Sequence, residues 1–319
     1  MNLDYIKPDN WSIIEEGFNP NYVKSSESLM SIGNGAMGQR ANFEEHYSGS
    51  TFQGSYIAGV YYPDKTRVGW WKNGYPEYFA KVLNAPNWIG INVIVNNEPL
   101  DLFTCTKVDN FRRELNMKEG WLSRSFVATL NNGIALEVKT KRFLSLDIDA
   151  LGAITYAVKP LNREATITYQ PYLDSGITNE DTNWDDKFWD TINVSHENHQ
   201  AYILAKTMKT DFYTCTFMES KVFINDNSLL IEPNIKADAN YASFSYKHDV
   251  KAGETYTIHK FGGYIVDRNH DKTELVTVAK QTLEQATKLG FNTLLNQQKE
   301  SWESIWNMAD ITIDGDVKA

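Results

Sequence analysis

The sequence predicts a mainly β protein in which a large antiparallel β-sandwich is followed by two linker helices. Three observations predict it: apolar and polar residues alternate along most of the chain, turn residues separate the alternating segments, and the spacing becomes helical near residue 268. About a dozen such segments without intervening helices require stacked sheets, because one open sheet of that size would expose too much apolar surface. We therefore predict a sandwich domain at 1–267 and a helical linker at 268–319.

The predicted strands are bounded by Asn, Asp, Gly or Pro. They lie at 91–95, 111–117, 121–130, 134–144, 150–158, 164–172, 200–208, 213–224, 241–249 and 254–266. The pair Asn132-Gly133 predicts a tight hairpin in which both residues have positive φ. The glycine-rich residues 33–38 predict a turn between strands and not a phosphate-binding loop, because neither Lys-Ser/Thr nor a helical pattern follows them.

Two amphipathic helices are predicted after the sandwich. Asp271 is the expected N-cap, Glu274 completes a capping box, and Gly290 ends the first helix in a left-handed conformation. The two apolar stripes comprise Leu275, Val278, Ala279, Leu283 and Ala286, and then Leu295, Gln298, Trp302, Ile305 and Trp306. Because such helices cannot bury these faces alone, we expect exposed apolar faces that connect the sandwich to another body.

Composition excludes several classes of function. The 41 acidic against 31 basic residues give a net charge of −10, whereas a nucleic-acid binder would be basic. No apolar run approaches the roughly 18–20 residues of a membrane span, and the N-terminus lacks the apolar region of a secretory signal. Cys105 and Cys215 form no CxxC pair, which predicts a reduced, cytoplasmic chain.

The candidate metal-binding and acid–base motifs lack the spacing, the residues or the geometry that such sites need. His196 and His199 are three residues apart, whereas a zinc-binding HExxH helix needs four, so a solvated loop is expected. The segment 181–192 opens like a calcium loop, but it lacks the required Gly and the bidentate Glu. Glu44 and Glu45 would point to opposite faces of an extended strand and so could not form a catalytic dyad.

Two aromatic stretches, 61–76 and 174–190, are the best candidates for binding. Rings beside carboxylates suit sugar recognition, although an acidic loop with its aromatics packed under the sandwich would have the same composition. The loop 61–76 is too rich in Gly and Pro for a regular element. Its many aromatic residues fit a protein interface and a ligand contact equally well. The candidate residues are Arg67, Trp70, Trp71, Lys72, Asn73, Tyr75, Trp184, Asp185 and Trp189.

Two motifs resemble a known family. The run from Ser28 to Arg40, which contains Gly33-Asn34-Gly35, followed by Phe43-Glu44-Glu45, resembles the opening of glycoside hydrolase family 65. The stretches 59–76 and 185–190 look most like the maltose phosphorylase branch of that family. The one departure is Ala41, where the family commonly has Gly.

The resemblance implies a protein longer than this chain. Family members have an N-terminal super-β-sandwich, a helical linker, an (α/α)6-barrel catalytic domain and a small C-terminal β-domain. The catalytic Glu and the phosphate-holding groups lie in the barrel, so the resemblance implies no catalytic residue within 1–319. It implies an inverting attack of inorganic phosphate on an α-linked disaccharide, no metal or organic cofactor, and two partners: the protein's own barrel and a second copy in a homodimer. A stand-alone carbohydrate-binding sandwich and the N-terminal domain of a family 65 hydrolase such as trehalase remain alternatives.

Overall fold

The computed structural model describes residues 5–66, 76–179, 187–312 and 315. The helices are α1 (Val23–Leu29), which follows a 3-10 turn (Pro20–Tyr22), and α2 (Leu275–Ala309). The strands are β1 (Ile6–Pro8), β2 (Ser12–Glu16), β3 (Ile32–Gly33), β4 (Met37–Gln39), β5 (Ser55–Ile57), β6 (Tyr61–Lys65), β7 (Tyr78–Val82), β8 (Ile91–Val95), β9 (Glu98–Pro99), β10 (Lys107–Asn116), β11 (Trp121–Thr129), β12 (Ala135–Leu144), β13 (Leu151–Pro160), β14 (Ala165–Asp174), β15 (Trp189–Glu197), β16 (Gln200–Thr207), β17 (Tyr213–Ile224), β18 (Asn227–Leu229), β19 (Asn234–Ala237), β20 (Tyr241–Val250) and β21 (Tyr256–Val266).

Two antiparallel sheets form the sandwich within the described ranges. The large sheet has the order β1-β2-β10-β11-β12-β13-β21-β17-β16-β15, with β18 added to the end of β17. The second sheet has the order β19-β20-β14-β8-β9. The short strands β3, β4 and β5 form a small sheet of their own, and β6 pairs with β7 as a two-stranded ribbon. The predicted mainly β, antiparallel fold is confirmed.

The large sheet is buried on both faces, which gives the molecule three layers. On β17, Met218 and Val222 belong to the core between the two sheets, whereas Cys215 and Phe217 face α2. This alternation follows from the two-residue period of a strand. Because both faces are covered at these positions, strands such as β17 and β21 are buried at nearly every residue.

The apolar face of α2 is not exposed, contrary to the sequence-based expectation. Leu275, Ala279, Leu283 and Ala286 are buried against the outer face of the large sheet, together with Phe291 and Leu294. The sequence did not indicate this, because polar residues such as Thr214, Glu219 and Lys260 interrupt the apolar runs that a strand buried on both faces usually has. The exposed large apolar residues of this region lie at its far end, at Ile305, Met308 and Ile311.

The ends of α2 differ in detail from the prediction. Gly290 has φ 76° and ψ 163°, and it interrupts the helix where the sequence placed the end of the first helix. The predicted capping box does not form, so that prediction is wrong. The Asp271 carboxylate accepts hydrogen bonds from the Thr273 amide and hydroxyl in the preceding turn, and the N-cap Glu274 makes no side-chain capping bond.

The hairpin turns have the backbone φ values that their Asn and Gly residues predict, with one exception. Asn96 and Asn97, between β8 and β9, have φ values of 50° and 68°, as a type I′ turn requires. In the predicted Asn132-Gly133 hairpin, Gly133 has φ 80°, whereas Asn132 is not among the described residues with positive φ. The Glu98 carboxylate accepts the amides of Asn131 and Asn132, which holds that loop in a different geometry.

The glycine-rich residues 33–38 form the predicted turn. Asn34 Oδ1 accepts hydrogen bonds from the amides of Ala36 and Met37, and Gly35 has φ 90° between β3 and β4. Within the described residues, no helix has both the length and the hydropathy needed to cross a membrane.

Candidate functional site

The structure brings the bases of the two aromatic stretches together. The first stretch begins as β6 and pairs with β7, so its base is a regular ribbon and the predicted lack of regular structure is wrong there. The ring of Tyr62 lies 4.5 Å from the ring of Phe188, which belongs to the second stretch. Lys81, on β7, donates to Asp64 at 2.7 Å and lies 5.5 Å from the Phe188 ring centroid. We call this junction of β6, β7 and residues 187–189 the ribbon base.

Hydrogen bonds between buried groups fix the ribbon base. The Asn84 amide donates to Asn179 Oδ1 at 2.9 Å, and Asn179 Nδ2 donates to the Val82 carbonyl at 2.9 Å. Trp189 Nε1 donates to the Asn84 carbonyl at 2.7 Å. Each of these bonds satisfies a polar group that burial would otherwise leave costly, so the two stretches are held in one arrangement.

The turn between β16 and β17 supports the ribbon from another side. Thr210 donates to the Tyr61 carbonyl at 2.9 Å, and the Tyr61 and Phe212 rings meet edge to face at 5.4 Å. Lys209 Nζ lies 4.6 Å from the centroid of the Tyr62 ring. The ribbon still presents apolar side chains to solvent: Tyr61, Tyr78, Phe79 and Val82 are 43–62% exposed.

Most of the sequence-predicted binding residues belong to parts of the chain that carry no structural description. Those outside the described residues are Arg67, Trp70, Trp71, Lys72, Asn73, Tyr75, Trp184 and Asp185, and the first half of the rejected calcium loop, 181–186, lies there as well. Trp189 is described and is 5% exposed in the core. Its ring is therefore packed under the sandwich, as is that of Phe188, and it offers no open face to a sugar in this structure.

Glu44 and Glu45 are not on opposite faces of a strand, and that prediction is wrong. They lie in a bend after β4, where both carboxylates turn inward onto Arg124 of β11. Arg124 contacts Glu44 Oε2 at 2.8 Å and binds both oxygens of Glu45. Arg142 of β12 donates to Glu44 Oε1 at 2.6 Å. All four side chains are buried.

A second buried pair extends this network, which we call the buried ion cluster. Arg113 Nε lies 3.1 Å from Glu15 Oε2, and both residues are 1% exposed. Arg113 and Arg124 also lie over the Phe43 ring, at 4.9 and 4.2 Å. The cluster therefore joins the segment that follows α1 to strands β2, β10, β11 and β12 of the large sheet.

Two groups of the cluster are held as charges. Burial by itself acts to raise the pKa of Glu44, but Arg142 and Arg124 outweigh it and lower the pKa. Burial likewise acts to lower the pKa of Arg124, but Glu45 and Glu44 raise it above its ordinary value. Glu15 differs, because its burial outweighs the effect of Arg113 and raises its pKa. All of these side chains are buried, so the cluster joins strands in the interior of the fold.

The sequence carries a signal for these buried arginines. Arg113, Arg124 and Arg142 each occupy a core-facing position of an alternating strand, as Leu122, Phe126 and Ala128 do on β11. A charged residue in the apolar phase of a strand is costly unless it is paired, so it predicts buried acidic partners.

The histidine motif is not a metal site. His196 is exposed on β15, and His199 Nδ1 lies 3.1 Å from the Tyr246 hydroxyl. No group of three or more His, Cys, Asp or Glu side chains in the described part of the chain has the geometry of a metal site.

Comparison with known proteins decides the family. Residues 13–305 match the family model described as "Glycosyl hydrolase family 65, N-terminal domain". The chain belongs to this family. It is 39% identical to the maltose phosphorylase of Bacillus subtilis over 99% of this chain and 41% of that protein. It is 31% identical to the alpha,alpha-trehalose phosphorylase of Thermoanaerobacter brockii over 97% of this chain and 41% of that protein.

A solved structure has the same fold. It is described as a "putative kojibiose phosphorylase from human microbiome" and superposes with a TM-score of 0.86 at 24% identity, over 98% of this chain and 40% of that one. The family 65 chain thus spans about two fifths of the length of the relatives it matches.

Proposed function

We propose that this chain is the non-catalytic N-terminal domain of an inverting α-glucoside phosphorylase, with maltose as the substrate of the full enzyme. The observation that supports it most is the similarity to maltose phosphorylase, which extends over nearly the whole chain but over only two fifths of that relative. The buried ion cluster also supports the proposal, because its carboxylates are buried and paired with arginines.

In the proposed reaction, an oxygen of inorganic phosphate attacks the anomeric carbon of the α-glucoside from the opposite face. The bond to the glycosidic oxygen breaks, and a carboxylic acid in the barrel domain protonates that oxygen as it leaves. Phosphate takes the place of the water used by inverting hydrolases, so a single carboxylic acid suffices. The products are β-glucose 1-phosphate and glucose. No metal or organic cofactor takes part in this scheme.

In this proposal the chain supports its own barrel and a homodimer in the cytoplasm. Two exposed apolar features would serve these contacts: the ribbon with Tyr78 and Val82, and the end of α2 with Met308. The loop 61–76 would reach toward the mouth of the active site. Light scattering of the longer protein should give twice the mass of one chain; a monomer would contradict the dimer.

A phosphorolysis assay on this purified chain tests the proposal. With phosphate and maltose, trehalose or kojibiose in turn, we expect no glucose 1-phosphate, whereas the longer protein should produce it from maltose. Formation of glucose 1-phosphate by the pure chain would overturn the proposal. Product formation by the longer protein that is independent of phosphate would instead identify a hydrolase such as trehalase.

A stand-alone carbohydrate-binding sandwich is the competing function. Calorimetry with maltose on this chain separates the two, because a binding module must bind sugar without a barrel. Saturable binding that is lost in Trp70→Ala would favour the binding module, with Trp70, Trp71 or Trp184 as the sugar platform. Absence of binding would favour the phosphorylase domain.

A further inference from the structure

A gap in the ladder of the large sheet creates a cavity far along β17 from the ribbon base. The pairing of β16 with β17 ends at Gln200 and Glu219, and the pairing of β18 with β17 begins at Leu229 and Val222. Ser220 and Lys221 therefore have no strand partner on this side. A cavity of about 290 Å³ opens at this gap, and we call it the ladder-gap cavity.

The cavity has one apolar and one polar wall. Leu229, Leu230 and Ile231, at the end of β18 and just beyond it, supply the apolar wall. Opposite them, His199 Nδ1 lies 3.1 Å from the Tyr246 hydroxyl, which in turn donates to the Ser220 carbonyl at 3.5 Å. The tyrosine hydroxyl thus occupies the edge that a neighbouring strand would otherwise cover, and the gap is a built feature of the sheet.

Ser220 is the residue that points to a ligand. Its side chain is 1% exposed and lines the cavity, yet within the described part of the chain its hydroxyl has no hydrogen-bonding partner. Buried hydroxyls are normally hydrogen-bonded, because an unpaired one loses its contacts with water without compensation. A hydroxyl left unpaired in the wall of a cavity is available to bind whatever enters it.

The cavity is lined by a mixture of polar groups, which suits a ligand that both donates and accepts hydrogen bonds. Glu219, Glu232 and Lys221 line it together with the His199 imidazole. Glu219 accepts from Gln200 Nε2 at 2.7 Å, and Lys221 Nζ donates to the Thr287 carbonyl at 3.3 Å, so both charges already have a partner. The volume lies at the lower end of the range for ligand pockets, which matches a single six-membered ring.

We propose that the ladder-gap cavity binds one neutral polyhydroxylated ring of monosaccharide size, with Ser220 and His199 as its hydrogen-bonding groups. Sugar hydroxyls can both donate and accept, as this mixture of hydroxyl, imidazole and carboxylate requires. The C–H groups of the ring would pack on Leu229 and Ile231. The proposal stands independently of the phosphorylase activity.

The test is a titration of this chain with D-glucose, followed by NMR of the histidine ring signals and by calorimetry. We expect weak, saturable binding that shifts the signal of His199, which the His199→Gln variant identifies. Ser220→Ala should weaken binding by about fivefold, the effect of one lost hydrogen bond, and should leave thermal unfolding unchanged because that hydroxyl has no protein partner.

Thr216→Val is the matched control. Thr216 lies on the same face of β17, is fully buried and also has an unpartnered hydroxyl, but it does not line the cavity. The Thr216→Val variant should bind glucose with the same affinity as the unmodified chain. Three results would overturn the proposal. The first is no saturable shift of the His199 signal, and the second is an affinity of Ser220→Ala for glucose equal to that of the unmodified chain. The third is binding that is lost in Trp70→Ala but kept in both His199→Gln and Ser220→Ala.

Discussion

Arg124 neutralises two buried carboxylates at once, and this makes it the residue on which the N-terminal segment depends most. A buried ion pair contributes little net stability when both partners are present, since its attraction mainly offsets the loss of hydration. Removing one partner is different, because the remaining charge is left in the interior without compensation. In the buried ion cluster, loss of Arg124 would leave Glu45 in this state and would leave Glu44 with Arg142 as its ion-pair partner.

We therefore predict that Arg124→Met lowers the free energy of unfolding by about 3–5 kcal/mol. Methionine keeps much of the volume and removes the charge, so the loss reports the unpaired carboxylates. Urea denaturation followed by circular dichroism measures it.

Arg112→Met is the matched control on the neighbouring strand. Arg112 is 40% exposed and pairs with Glu16 and Glu114 at the surface, so we expect a loss of no more than about 1 kcal/mol. Equal losses in the two variants would contradict the role given to the buried ion cluster.

His259 makes stability depend on pH. Burial between Phe223 and Phe291 lowers its pKa from 6.5 to about 4. A base with a lowered pKa contributes stability that is fully present above its unfolded pKa and is lost as the pH falls toward the folded pKa. The loss therefore falls between about pH 6.5 and pH 4. Four carboxyls act in the opposite direction, because burial raises the pKa of Glu15, Glu27, Asp174 and Glu219.

The unmodified chain should lose free energy of unfolding as the pH falls from about 6.5 to 4. We predict that in His259→Phe this loss is smaller by about 2–3 kcal/mol. The difference between the two unfolding curves, measured across the pH range, isolates His259 from the carboxyls. His196→Gln, at an exposed histidine of β15, should leave the pH profile unchanged. A His259→Phe profile parallel to that of the unmodified chain would contradict the assignment.

At the scale of elements, two separate contacts hold α2 on the large sheet. Its first half buries an apolar stripe, and beyond the kink at Gly290 the helix docks on the turn between β10 and β11. There Gln298 Nε2 donates to the Gly120 carbonyl at 3.1 Å, and Trp306 Nε1 donates to the Met117 carbonyl at 3.0 Å. Gly120 has φ 67°, and a Cβ atom on it would lie 1.8 Å from Trp302 Nε1.

We predict that Gly120→Ala releases the second half of α2. The variant must adopt an unfavourable left-handed conformation and must also displace the Trp302 ring, so the free energy of unfolding should fall by about 2–4 kcal/mol. Hydrogen exchange of residues 295–309 should become faster, because this half of the helix would lose its contact with the sheet.

Gly133→Ala provides the comparison at a second turn of the large sheet. Gly133 has φ 80° but no atom within 4 Å of the added Cβ, so only the conformational cost of about 1 kcal/mol applies. Exchange in α2 should not change. Equal exchange of α2 in the two variants would show that the Trp302 contact does not hold the helix.

The sequence predicted most of the long strands, though not the largely exposed β15, and it missed most of the short ones, for physical reasons. Strands such as β12 and β17 span ten or more residues, so their alternation is repeated often enough to be recognised. Strands β3 to β7 have two to five residues, and α1 has seven, which is too few for a period to emerge. The bend at Glu44 and Glu45 depends on arginines about 80 to 100 residues away, and no local pattern reports such a contact.

For the candidate site, composition identified the two aromatic stretches, but their meeting could not be predicted. The contact between Tyr62 and Phe188 joins residues far apart in the chain, and the hydrogen bonds of Asn84 and Asn179 that fix it involve residues with no distinctive sequence signal. The same composition also fits both an exposed and a buried Trp189, and burial depends on the packing of the whole sandwich.

At the scale of the whole molecule, the three layers describe a scaffold. Among the described residues, Glu44, Glu45 and Glu15 are buried in ion pairs with arginines, and exposed apolar groups include those on the ribbon and at the end of α2. Such a surface fits a domain that supports a catalytic partner. We propose that this chain supports phosphorolysis by the longer protein and contributes no catalytic group to it.

The most direct test is a complementation assay. The proposed catalytic part of the protein, produced without residues 1–309, is assayed for β-glucose 1-phosphate from maltose and phosphate, with and without this chain added, beside this chain alone. The account predicts no product from this chain alone, little from the truncated catalytic part, and recovery of activity when the two are mixed. Full activity of the truncated catalytic part without this chain, or product from this chain alone, would contradict it.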